Sequence, residues 1–229
     1  MASSRLQAVI FDMDGVLIDN SAYYASAWEQ FLGEHRGLIQ PDYPARQTFG
    51  RRNSDLFPEV FGRAIPEAEL RSLGNRLEAI YLERFLPVMA PMPGLLPLLD
   101  RLLRAGTPMA VASSAPEGNV RLVMERLGLG RYFKTTLCEL DVTRGKPDPQ
   151  IYQRAAARLD CAPEVCLVFE DALVGIAAAR AAGMACIALA STYPESALKE
   201  AGAEFVIRDF EDARVVEVLG RFSAVTAGQ

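Results

Sequence analysis

Five short apolar runs, at positions 6–11, 108–112, 165–169, 185–190 and, more weakly, 204–207, constrain the fold of this chain more than any other feature of its sequence. Each has the length of a strand, and none alternates apolar with polar residues. Continuous runs of this kind read as parallel strands buried on both faces. Between them, apolar residues recur three and four apart. Residues 94–104 carry Leu95, Leu98, Leu99, Leu102 and Leu103, and residues 117–127 carry Val120, Val123, Met124 and Leu127. A further helix is expected over 149–159, with Asp148 as its N-cap and Pro149 at the first helical position. Helices over 174–182 and 195–201 are expected to close on Gly183 and Gly202. Strand alternates with helix, which predicts an α/β fold with a doubly wound parallel sheet.

Residues 21–90 break this rhythm. Helical patterns over 24–33, 55–62 and 67–85 follow one another with no buried strand between them. The reading is an α/β core formed by residues 1–18 and 91–229, with an all-helical cap domain, residues 19–90, inserted after the first strand. Pro87, Pro91 and Pro93 suit a stiff hinge, and residues 223–229 read as a loose tail. A chain of 229 residues can bury roughly 70–75% of its unfolded surface. It needs no disulfide or structural metal to fold.

Composition narrows the partners. The net charge of −5 is well mixed along the chain, so no basic stripe exists to neutralise a nucleic-acid backbone. The apolar run near the N-terminus stops at Asp12, too early for a signal peptide or a membrane span. Cys138, Cys161, Cys166 and Cys186 lack paired spacing, and two of them lie in apolar runs, so a reduced, cytoplasmic setting is expected. A monomer is the expected state. One histidine, His35, and three lysines make a Ser-His-Asp or histidine-rich metal site a poor fit.

In an open parallel sheet, ligands bind beyond the carboxyl ends of the strands. The first strand runs into Asp12-Met13-Asp14-Gly15-Val16, the second into Ser113-Ser114, and the strand at 165–169 into Glu170-Asp171; Gly145-Lys146-Pro147 precedes the helix at 149. Carboxylates two apart on an extended chain project to one side, and Gly15 lets the backbone turn directly afterwards. Taken singly, these are a turn, a cap and a surface cation. Taken together, they place four carboxylates, a hydroxyl and an ammonium on one rim.

On these residues the chain resembles the haloacid dehalogenase superfamily, in the branch of small-cap, phosphoglucomutase-like phosphatases. Four motifs in order carry the resemblance: Asp12-Met13-Asp14-Gly15-Val16, Ser113, Lys146-Pro147-Asp148-Pro149, and Glu170-Asp171 through Gly175, Ala179 and Gly183. The resemblance implies a Rossmann-like core and a Mg²⁺-dependent phosphatase acting on a small-molecule phosphorylated substrate. Asp12 would be the nucleophile that becomes an aspartyl phosphate, and Asp14 the acid and base. The metal would be held by Asp12, the Asp14 backbone carbonyl, Glu170 and Asp171. Ser113 and Lys146 would grip the remaining phosphoryl oxygens.

Departures from relatives narrow this further. Residues 19–90 contain no lysine, which excludes the Schiff-base chemistry of phosphonate-cleaving members. Tyr24 stands where the phosphoglucomutases have a cap histidine, which favours hydrolysis over a hexose phosphomutase, the runner-up. Asp14 argues against dehalogenation, and Ala172 replaces a frequent serine. Arg51, Arg52 and Asn53 fall where relatives place a substrate loop, so they and Ser114 are the candidate substrate contacts, the arginines for a second anionic group. Tyr23, Tyr24 and Trp28 are expected in the core, and His35 at a solvated helix end. From a different class, a phospho-acceptor or silent binding domain would share the acidic rim without turnover. Sugar phosphates, polyol phosphates, phosphoglycolate-like acids and nucleotides stand unranked as substrates.

Overall fold

A computed structural model describes residues 6–40, 43 and 48–223. Six parallel strands form one sheet in the order β3-β2-β1-β4-β5-β6: β1 (Ala8–Phe11), β2 (Met109–Ala112), β3 (Thr135–Leu137), β4 (Cys166–Glu170), β5 (Ala185–Leu189) and β6 (Phe205–Ile207). Five follow the apolar runs. The sixth, β3, was not expected: Thr135 and Thr136 are only half-buried, because β3 is an edge strand that never needed an apolar sequence on both faces.

Successive residues of each strand point to opposite faces, and the core divides accordingly. Val9, Phe11, Val111, Leu167 and Phe169 pack with α4 (Leu95–Arg104), α5 (Glu117–Arg126) and α9 (Arg214–Ser223). Phe11 stacks on Phe169 with ring centroids 5.1 Å apart, and both meet the edge of Phe210. Ala8, Ile10, Ala110, Val168 and Cys186 face α6 (Gln150–Leu159), α7 (Leu173–Ala181) and α8 (Glu195–Glu200). Alanines dominate this second face, and helices can lie close on small side chains. α6 begins one residue later than the sequence reading. Pro149 is its N-cap, and Asp148 Oδ1 accepts the Gln150 N–H at 3.0 Å from one position further out.

Between β1 and β2 the chain forms α1 (Ser21–Glu34), α2 (Asn53–Phe61) and α3 (Glu67–Phe85). Trp28, Phe31, Phe57 and Leu77 bury their common faces. The chain enters and leaves this segment side by side: Ile18 bridges Pro91, and the Met92 N–H donates to Leu17 O at 2.8 Å. His35 ends α1 as expected, but it is half-buried with its ring 4.3 Å from that of Phe31. All four cysteines are free. The expected tail lies outside the described residues except for Ser223, the last residue of α9. No helix among the described residues is long and apolar enough to cross a membrane.

Candidate active site

The strand order reverses at β1, between β2 and β4, so the crevice at the carboxyl end of β1 is open to a ligand. Asp12 leaves the sheet there, with its N–H tied to Phe169 O at 2.9 Å. Gly15 turns the chain at φ 72°; a Cβ at this position would overlap the Asp171 carboxylate. Asn20 holds the turn together. Its Oδ1 accepts the Gly15 N–H at 3.0 Å, and its Nδ2 donates to Asp14 Oδ1 at 2.7 Å and to the Tyr81 hydroxyl at 2.8 Å.

Lys146 sits beneath the rim, fully buried, and donates to Asp12 Oδ1 at 2.6 Å, Glu170 Oε1 at 2.7 Å and Ala112 O at 3.3 Å. Glu170 also accepts from the Tyr152 hydroxyl at 2.8 Å and from the N–H groups of Asp171 and Ala172 at 2.7 and 2.8 Å. Thr192 donates to Asp171. Carboxylate oxygens of Asp12, Glu170 and Asp171 lie within 4.8 Å of one another. The Asp14 side chain instead turns to Asn20. Ser113 is buried at the end of β2, where its Oγ accepts the Ala115 N–H at 3.0 Å.

The charges are out of balance. Burial pushes the Asp12 carboxyl up against the pull of Lys146, with Glu170 and Asp14 adding to the rise. Burial, then Glu170 and Asp12, raise Asp171 as well. Asp14 is pushed up to about 6 by burial, opposed by its hydrogen bond from Asn20. Burial works against the Lys146 ammonium too, yet Asp12 and Glu170 outweigh it and hold the amine above the ordinary lysine range. One ammonium against three clustered carboxylates leaves a surplus of negative charge that a divalent cation would neutralise.

A profile described as a haloacid dehalogenase-like hydrolase matches residues 6–183. The chain belongs to the haloacid dehalogenase-like hydrolases. A phosphorylated carbohydrates phosphatase of Thermotoga maritima is 30% identical over 214 residues, covering 93% of this chain and 99% of that one. The chloroplastic 5-amino-6-(5-phospho-D-ribitylamino)uracil phosphatase of Arabidopsis thaliana is 29% identical over 211 residues, 91% of this chain; the chain spans 56% of that relative's length. Among solved structures, a family IA, variant 3 hydrolase of the same superfamily from Entamoeba histolytica superposes with a TM-score of 0.82 at 25% identity, covering 95% of this chain and 99% of that one.

Above the rim of this dehalogenase-like hydrolase, a cavity opens between the sheet and α1–α3. Asp12, Asp14 and Asp171 line its floor; Tyr24, Arg51, Asn53 and Glu78 line its helical side. The residues expected to contact substrate divide. Asn53 and Ser114 line the cavity, and the Ser114 hydroxyl donates to Gly50 O at 2.8 Å. Arg51 lines it while ion-paired with Glu59. Arg52 lies outside, pairing with Asp55 at 2.8 Å and donating to the carbonyls of Val142 and Thr143 at 3.0 and 3.2 Å. Trp28 is core as expected, whereas Tyr24 faces the cavity. Sequence reasoning missed Asn20, Glu78, Asn119 and Thr192. Thr192 was within reach of the strand-end rule, since it lies just past β5; Glu78 and Asn119 sit on helices whose apolar periodicity gives no hint of them.

Proposed function

We propose that the chain is a Mg²⁺-dependent phosphatase of a small, sugar-phosphate-type metabolite that works through an aspartyl phosphate on Asp12. The observation that carries this is the Asp12 carboxylate, 2.6 Å from buried Lys146 and two residues from Asp14, beside Glu170 and Asp171. The names of the relatives agree with it. An all-oxygen donor set suits a hard cation. Asp12, Glu170, Asp171 and the Asp14 backbone carbonyl would hold the Mg²⁺. Once bound, the ion would neutralise charge on the phosphoryl oxygens and on the carboxylates.

The chain's own groups supply the rest. Asp12 Oδ forms a bond to phosphorus as the ester P–O bond breaks in line with it. Asp14, held by Asn20 and partly protonated near neutral pH because burial raises it to about 6, gives its proton to the leaving alkoxide. The same carboxylate then takes a proton from the water that cleaves the acyl phosphate. Lys146 and Ser113 stabilise charge on the equatorial oxygens. The helices α1–α3 serve as a cap that keeps water from the leaving-group step.

The test is phosphate release from a panel of sugar and polyol phosphates with Mg²⁺ or EDTA. Release should need Mg²⁺, and Asp12→Asn should lower kcat at least about 10³-fold. Turnover of the Asn variant near the wild-type rate would remove Asp12 from this role. Hexose 1-phosphate that yields hexose 6-phosphate without free phosphate would make the enzyme a mutase.

A further inference from the structure

Glu78 stands on α3 in the wall of the cavity that Asp12 and Asp14 also line. Side chains from two other elements fix it. Asn53, on α2, donates from Nδ2 to Glu78 Oε1 at 3.3 Å, and Asn119, on α5 of the sheet layer, donates from Nδ2 to Glu78 Oε2. The Tyr24 hydroxyl in turn donates to Asn53 Oδ1 at 3.3 Å. All the protons in this chain of bonds therefore run toward the carboxylate. Each Glu78 oxygen takes one amide proton and keeps further acceptor capacity, so the wall offers acceptors to whatever enters.

The cations are disposed the same way. Arg51 is the one cation lining the cavity among the described residues, and Glu59 pairs with both of its terminal nitrogens. Arg52 is committed to Asp55 and to two backbone carbonyls outside the cavity. Among the described residues, a second phosphate or a carboxylate on the substrate would face Glu78 with no uncommitted cation beside it. Hydroxyl or ammonium groups would meet acceptors they can satisfy.

We propose that Glu78, clamped between Asn53 and Asn119, is a specificity-determining residue that selects phosphomonoesters whose leaving group carries hydroxyl or ammonium donors and rejects those carrying a second anionic group. This rests on the phosphatase reading and narrows its substrates to sugar, amino-sugar and polyol monophosphates. Phosphoglycolate-like acids and bisphosphates are excluded. A hydrogen bond to a charged acceptor is commonly worth a factor of roughly ten to a hundred, and an unpaired buried charge costs as much.

Matched pairs test it: glycerol 3-phosphate against 3-phosphoglycerate, and glucose 6-phosphate against 6-phosphogluconate, each pair exchanging a donor-bearing end for a carboxylate. At pH 8, where Glu78 is ionised, wild-type kcat/KM should favour the donor-bearing member by about tenfold or more. Glu78→Gln should bring the two members within about threefold of each other, and Glu78→Lys should reverse the order. Each ratio is taken within one preparation, so partial misfolding lowers both values and leaves the ratio alone. If neither Glu78 variant folds, Asn119→Ala, which removes one of the two side chains that hold the carboxylate toward the cavity and lets it turn away, should lower the ratio in the same direction. A wild type that hydrolyses the carboxylate members equally well, or a ratio unmoved by the substitutions, overturns the role of Glu78 and leaves the phosphatase standing. No phosphate release from any member with Mg²⁺ overturns both.

Discussion

Lys146 holds the rim together against its own electrostatics. Its ammonium, without solvent contact, touches both Asp12 and Glu170, and removing one partner of such a buried set leaves the others uncompensated. Lys146→Met should therefore destabilise the metal-free protein by about 3 kcal/mol at pH 8, and Mg²⁺ should restore part of the loss; urea unfolding in EDTA and in Mg²⁺ measures both. Glu78 carries a pH dependence of its own. Burial raises it to about 7, opposed by the bonds from Asn119 and Asn53. Its pKa in the unfolded chain lies near 4.3, so the folded state binds its proton more tightly. The stability this proton confers is complete below about pH 4 and is lost as pH rises through 7. Allowing for the partial exposure of the side chain, the difference amounts to about 2 kcal/mol. Urea unfolding in EDTA at pH 5 and pH 8 should show Glu78→Gln gaining on the wild type by that amount at the higher pH. A gap between the two proteins that does not change with pH would contradict the assignment.

The helix that follows β4 illustrates what an element contributes. Gly175 lies in the first two turns of α7, and a Cβ there would overlap the Glu170 carboxylate. Alanine improves helix propensity by about 1 kcal/mol, so propensity alone favours Gly175→Ala. The overlap instead forces Glu170 away from Lys146, Tyr152 and the two backbone donors that position it. Activity should fall at least about 100-fold while far-UV circular dichroism stays that of the wild type. Full activity in a folded variant would show that Glu170 can move without consequence. Gly50 has a similar role on the opposite side: it adopts φ 75°, and a Cβ there would press 2.7 Å from the Cβ of Ala172. The strands were legible because burial on both faces demands unbroken apolar runs. β3 was not, because an edge position relaxes that demand. Arg51 and Arg52 were legible as cations but not as partners, since Glu59 and Asp55 compete for them only once α2 has formed.

If the acidic rim holds Mg²⁺, metal binding and folding are linked. Asp12, Glu170 and Asp171 come from the ends of two strands and converge only in the folded chain, so a divalent cation held by them would bind the native state alone. Mg²⁺ at about 100 times its Kd should raise stability by roughly 2.7 kcal/mol, seen as a higher Tm that EDTA reverses, and Asp171→Asn should abolish most of the gain. A Tm indifferent to Mg²⁺ would count against the site. The parallel sheet, the helical segment after the first strand and the acidic rim can all be read from residue order alone. Hydrophobic periodicity and strand-end chemistry are local properties that a chain carries in its order. Only packing in space sets which charges are neutralised and which face the cavity. Arg51 is neutralised by a residue eight positions away, Glu78 is fixed by Asn119 41 positions away, and Lys146 is shared with Asp12 134 positions away. Such pairings depend on distances in space, which the spacing of residues along the chain does not encode.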